Sequence, residues 1–270
     1  ELINTNPFGF EDNSALVSLL NGAEAKFTGF SEMNTQLAQI LAGGSLPTPV
    51  PTTVTKTGGV FAIAQGARFF ANNIVVKRNK ANFSSVLDCA SANFEPVTIT
   101  NATLQANEAQ TLEEIRGEST LRFTSCSANI TGLSMSSNTA TRKTAGIFLN
   151  TATMTVTNSN FSDQGSADYT GFFYIGVDSS LTMTGSRLEN ARGPKGGAIF
   201  ASGAQNITIS DSRFKNCQAN YGGAIYLTSS NILTLNQSCY FSQNRGTSGG
   251  DDLYVEDVET ITVAKAVYFA

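Results

Sequence analysis

An all-β, right-handed parallel β-helix of about 26 residues per coil is the fold this sequence predicts. Three observations carry it. Apolar residues recur in register: Ile147, Phe173, Ile199, Ile225 and Leu253 form one column, and Leu149, Ile175, Ala201, Leu227 and Val255 a second. Three more columns run in phase: Met154, Leu181, Ile207, Leu233, Ile261; then Val156, Met183, Ile209, Leu235, Val263; then Phe161, Leu188, Phe214, Tyr240. Within each repeat the apolar positions alternate with threonine, as in Leu181-Thr182-Met183 and Ile207-Thr208-Ile209, which is the strand period. Third, Gly-Gly pairs punctuate the repeats at 58–59, 196–197, 222–223 and 249–250, where glycine permits tight corners. One unit of this length cannot bury its own apolar face. Stacking buries it and pairs each strand in parallel with its next copy, right-handed by the twist argument.

Taken in chain order, residues 1–57 read as an N-terminal cap region. Asn34–Gly44 has helical spacing, with Leu37, Ile40 and Leu41 on one face. A Pro/Thr-rich stretch from Ser45 to Thr53 follows, read as a loop inserted between coils or a lateral cap. The β-helix is placed at 58–270. Its first part keeps strand-like pieces at Val60–Ile63 and Ile74–Val76 in loose register. Val97-Thr98-Ile99 with Leu104 lies 31 residues before its next copy, and a loop within Ala109–Glu118 accounts for the excess. From Leu121 onward the 26-residue register holds. Both ends are abrupt, from Glu1-Leu2-Ile3-Asn4 to Val267-Tyr268-Phe269-Ala270. Solenoids need polar caps, so a fragment, a mature segment or ends covered by another chain is expected.

Two copies read Gly-Gly-Ala-Ile, at 196–199 and 222–225, and Phe241-Ser242-Gln243-Asn244 is an F-x-x-N. Phe214-Lys215-Asn216 and Leu188-Glu189-Asn190 come near that pattern. Over residues 145–270 the chain resembles the polymorphic outer-membrane protein repeats of chlamydial surface proteins, which also occur in protist cell-surface proteins. The resemblance implies a β-helical, surface-exposed, adhesin-like protein.

Charged residues make up 14% of the chain, below the ~25% of ordinary soluble domains, and Ser, Thr and Asn take their place. A net charge of −4 and no basic cluster longer than Lys77-Arg78-Asn79-Lys80 argue against a nucleic-acid partner. No apolar run is long enough to span a membrane. Cys89, Cys126, Cys217 and Cys239 match no metal-ligand spacing. Two disulfides in any of three connectivities are open to them, as are buried free thiols.

The chain has no histidine, which removes Ser-His-Asp and Cys-His catalysis and histidine metal sites. A polysaccharide lyase would need clustered Asp with Arg or Lys. Asp251, Asp252 and Arg245, with Arg213 one coil earlier, are the candidates, and the competing reading is a polar turn after Gly249-Gly250. A non-enzyme without a cofactor is the expectation.

Alternation points one aromatic column outward: Phe148, Tyr174, Phe200, Tyr226 and Tyr254. An exposed stack of this kind marks an interaction surface, for lateral packing against another solenoid or for sugars, unless it only stabilises the sheet. A second outward ladder is Thr155, Thr182, Thr208, Thr234 and Thr262, which resembles an ice-binding surface but suits any solvated sheet face. Sequons at Asn82, Asn101, Asn129, Asn160, Asn206 and Asn236 are candidate N-glycosylation sites in a secretory-pathway eukaryote. The function expected is a structural or adhesin-like module of an extracellular cell-surface protein. Its partners would be itself, other surface proteins or glycans. A carbohydrate-binding module or polysaccharide-active enzyme is the alternative.

Overall fold

Four parallel ladders wind into a solenoid in the computed structural model, which describes residues 17–19, 24–28, 60–64, 68–81, 84–90, 96–109 and 119–270. One coil shows the plan. Ile147–Asn150 lies on face I, Thr153–Thr157 on face II, Asn160–Ser162 on face III and Gly165–Ser166 on face IV. Each strand pairs in parallel with its copy one coil on, as Ile147 with Phe173, Met154 with Leu181 and Phe161 with Leu188. Faces I and II fuse where Ile225–Leu235 and Leu253–Val263 each run through the corner as one strand. Coils therefore stack at the strand spacing of about 4.8 Å.

The register is regular further upstream than periodicity alone shows. Phe61, Leu87, Leu121 and Ile147 are successive partners on face I. The coil from Leu87 to Leu121 is the long one. Its extra residues fall between Ala90 and Val97 and, as expected, between Ala109 and Ser119. Val17–Leu19 pairs with Phe61–Ala64 and Glu24–Thr28 with Arg68–Asn72, so the solenoid starts before the expected boundary at 57. The expected helix at 34–44 and the proline-rich stretch lie outside the described residues, as do Gly58, Gly59 and Asn82.

Corners explain the composition. Turning between two flat strands needs one residue in the left-handed region, which Asn and Asp tolerate best after glycine. Half of the non-glycine residues with positive φ are Asn or Asp. Asn73, Asn101, Gly132, Asn158, Gly185 and Asp211 stack at the corner between faces II and III. Arg78, Ala106, Ser137, Asp163, Asn190, Asn216 and Gln243 stack between III and IV. Single residues thus make most of the tight corners credited to Gly-Gly pairs. The described pairs serve the corner entering face I. Gly222 has φ +60° and a Cβ on it would lie 2.1 Å from the Ile225 carbonyl, and a Cβ on Gly223 would lie 2.2 Å from the Asp251 carbonyl and 2.4 Å from the Arg245 nitrogen.

The interior is continuous. Ile147, Leu149, Met154, Val156 and Phe161 are fully buried, as are their counterparts in the next two coils. Burying one such side chain is worth about 1.5–3 kcal/mol, which offsets the ordering of each coil. Phe241 takes the inward place expected for Tyr240, which is exposed: Phe241 pairs with Phe214, their centroids 4.7 Å apart, and stacks on Phe269 at 4.9 Å.

Polar groups inside the corners are paired between coils. The Oδ1 of Asn107 accepts bonds from the backbone N–H and Nδ2 of Asn79, both at 3.0 Å. Its Nδ2 donates to Asn138 Oδ1 at 2.9 Å and to the Val76 carbonyl at 3.2 Å. The Oδ1 of Asn244, in the F-x-x-N, occupies the same position and accepts the Cys217 N–H at 2.9 Å. Val76-x-x-Asn79, Leu104-x-x-Asn107 and Met135-x-x-Asn138 are therefore this motif's counterparts in the first half. Asn190 and Asn216 are not, because they stand one residue earlier, at the exposed left-handed corner.

Cys89 and Cys126 form a disulfide, while Cys217 and Cys239 are buried free thiols. Both expected states thus occur in one chain. Cys89 opposes Phe123 on face I, and Cys126 lies three residues further, around the corner. The long coil hides this proximity in the sequence.

Candidate binding surfaces

The aromatic column points outward as expected, but it is not an exposed stack. Phe148, Phe200 and Tyr226 are 9%, 3% and 5% exposed, and Tyr174 and Tyr254 are half-buried. The rings stack along face I, with centroids of Phe148 and Tyr174 5.0 Å apart and those of Tyr226 and Tyr254 5.2 Å apart. The chain's own turns leading into face I cover them. Tyr169 packs on Tyr174 and Phe200 with centroids at 5.3 and 4.9 Å, and Tyr221 packs on Tyr254 at 5.0 Å. The Lys143 ammonium sits 4.5 Å from the centre of the Tyr169 ring, and that of Lys195 5.5 Å from the Tyr226 ring. Tyr226 donates to Glu256 at 2.7 Å. Burial, then that bond, pushes its hydroxyl pKa up to about 12. Burial lowers the pKa of Lys143, against the attraction of Asp168. The sequence signal for this cover was Tyr169 and Tyr221, each five residues before its column aromatic.

In the two preceding coils the same column holds Asp88 and Arg122, joined at 2.9 Å. This pair at the base of the aromatic stack, Asp88 buried and Arg122 half-buried, gave no repeat signal and was not anticipated.

Face II carries the threonine ladder. Thr98, Asn129, Thr155, Thr182, Thr208, Thr234 and Thr262 are successive partners, each half-buried or exposed. Flanking ranks are also hydroxylic, with Thr131 and Thr157 bonded at 2.8 Å and Thr184 and Ser210 at 3.0 Å. Asn129 and Asn206 stand on this face, Asn101 and Asn236 at its edge, and Asn160 on face III. All five described sequon asparagines are exposed, whereas Asn79, Asn107, Asn138 and Asn244 outside sequons are buried.

The expected acidic cluster does not form a centre with both arginines. Arg213 is on face III beside Tyr240, and Arg245 is on face IV beside Gln218. Asp252 accepts from Asn244 Nδ2 at 2.8 Å, and Asp251 accepts the Gly246 N–H at 3.0 Å. Burial raises the Asp252 pKa, the Asn244 bond opposes that, and Asp251 adds to it. Both carboxylates act as turn caps. Among the described residues, no group of three His, Cys, Asp or Glu is placed to hold a metal ion. No helix among them is long and apolar enough to cross a membrane.

One concave feature was not anticipated. A polar groove of about 470 Å³ runs along the corner between faces III and IV, lined by Asp163, Gln164, Gly165, Asn190, Arg192 and Asn216. Its wall is a hydrogen-bonded ladder: Asn190 donates to Asp163 at 2.8 Å and Asn216 to Asn190 at 2.7 Å. The notch arises because Gly165 lies between Thr139 and Arg192 in the face IV column.

With parallel coils, single-residue corners and a continuous core established, comparison decides the family. The model of the right-handed beta helix region matches residues 58–259. This chain belongs to that family. Neither the curated proteins nor the solved structures contain a match. The family assignment covers the solenoid and its handedness.

Proposed function

We propose that this chain is a non-catalytic adhesive or structural module of an extracellular cell-surface protein. The observation that carries this reading is a disulfide-tied solenoid whose five described sequon asparagines all face solvent. Disulfides persist in oxidising compartments, and sequons are usable only where they are exposed. The resemblance of the GGAI and F-x-x-N repeats to those of chlamydial surface proteins supports the same reading. Stacked coils supply rigid reach, and face II supplies a low-charge surface. Contacts with other surface proteins or glycans are assigned to that face, because the chain's own turns cover the aromatic column.

Antibodies raised against the purified chain should label intact, unpermeabilised source cells. Labelling confined to permeabilised cells would overturn the reading. Glycopeptide mapping of chain from a eukaryotic source should find glycans on Asn129 and Asn206 of face II.

A further inference from the structure

We propose that face II adsorbs to ice, its threonine ranks meeting the water lattice of a crystal face. This inference goes beyond the surface-module reading, and it names crystalline water as an occupant of the face to which that reading assigns contacts.

Face specificity is the first support. The ladder from Thr98 to Thr234 has a second outward rank beside it, from Thr100 through Thr131, Thr157 and Thr184 to Ser210. In these two ranks every position is threonine except Asn129 and Ser210. The two outward ranks of face III on the same coils supply the comparison. They run from Thr103 to Tyr240 and from Gln105 to Ser242, and only Thr103 is threonine. Arg187, Glu189, Arg213 and Lys215 stand among them. A general preference of strands for threonine would enrich both faces alike. Face II, moreover, carries no charge in its strands from Val97 to Leu235.

Geometry is the second. Parallel pairing sets the repeat along each rank at about 4.8 Å, and strand alternation sets the ranks about 6.6 Å apart. Stacking of like coils keeps such a sheet flat. The oxygens on a prism face of ice repeat in two perpendicular directions at lengths close to these. Bonds between coils fix the second rank, Thr131 with Thr157 at 2.8 Å and Thr184 with Ser210 at 3.0 Å. In the first rank, the side chains of Thr155, Thr182 and Thr234 bond to no other described residue. Their hydroxyls are left to donate to and accept from lattice water. Their methyl groups order the water between. A charged group would hold its own hydration shell out of register with the crystal. Asn129 and Asn206 stand among these hydroxyls, so the inference concerns chain that carries no sugar on either.

The test uses the full chain made without glycosylation. It should arrest ice growth below the melting point in nanolitre osmometry. Fluorescently labelled chain should coat the prism planes of a single ice crystal. Thr182→Lys places a charge at an exposed position in the middle of the array. Thr155→Tyr raises a neutral bulk beside it. Both variants should lose the growth arrest and the coating while keeping the parent's melting temperature. Ser162→Lys, on face III, should behave as the parent does. A parent chain that neither arrests growth nor coats ice would overturn the proposal. So would face II variants that match the parent in both assays, or an equal loss from Ser162→Lys. Antibody labelling of intact cells would still stand in each of those cases.

Discussion

Replacing Asn107 by alanine should cost about 3–5 kcal/mol, a large share of a marginal total. The side chain makes four bonds: two accepted from Asn79 and two donated, to Asn138 and to Val76. A net hydrogen bond is worth about 1 kcal/mol, and a buried donor left without a partner costs more. The Asn79 N–H would lose this acceptor, whereas Asn79 Nδ2 keeps the Lys77 carbonyl at 3.2 Å. Asn216→Gly is the matched control at the neighbouring exposed corner. Glycine adopts its left-handed φ freely, and one exposed bond is lost, so the cost should stay within about 1 kcal/mol. Urea unfolding followed by circular dichroism gives both values. Hydrogen exchange should locate the Asn107→Ala loss in the coils around Asn79 and Asn138, because solenoid units couple only to neighbours. Equal costs for the two substitutions would refute the claim that the inner asparagine ladder holds the corners together.

Three further outcomes are expected. Removing the disulfide by Cys89→Ser with Cys126→Ser should cost about 4 kcal/mol on the loop-entropy relation for 37 residues, checked by non-reducing denaturation. Tyr226 should resist ionisation until about pH 12 in ultraviolet titration; its raised folded pKa makes stability flat below pH 10 and falling between 10 and 12, a loss that Tyr226→Phe should reduce. Asp252→Asn should leave stability equal or higher at pH 7. Wild type, whose folded pKa is raised, should gain stability as pH falls from neutral towards 4, and the variant should not show that gain in melting curves.

The solenoid was legible because its core repeats: a 26-residue step with i, i+2 alternation has few other solutions. What stayed hidden depended on breaks in that step. The long coil between Leu87 and Leu121 displaced Cys126 from Cys89 and obscured the first-half copies of the F-x-x-N position. Alternation placed Phe200 and Tyr226 outward correctly, but it says nothing about turns folding back, so Tyr169 and Lys195 as covers were missed. The groove was illegible for a similar reason. It needs Asp163, Asn190 and Asn216 from three coils at one corner, and a notch made by an absent side chain at Gly165.

The most direct test of the account is to incubate the chain with size-defined oligogalacturonate and a sulfated oligosaccharide and recover them for mass spectrometry. A non-catalytic surface module should return both at their original length. Shorter products, hydrolysed or unsaturated, would contradict the account and make this β-helix a polysaccharide-cleaving enzyme.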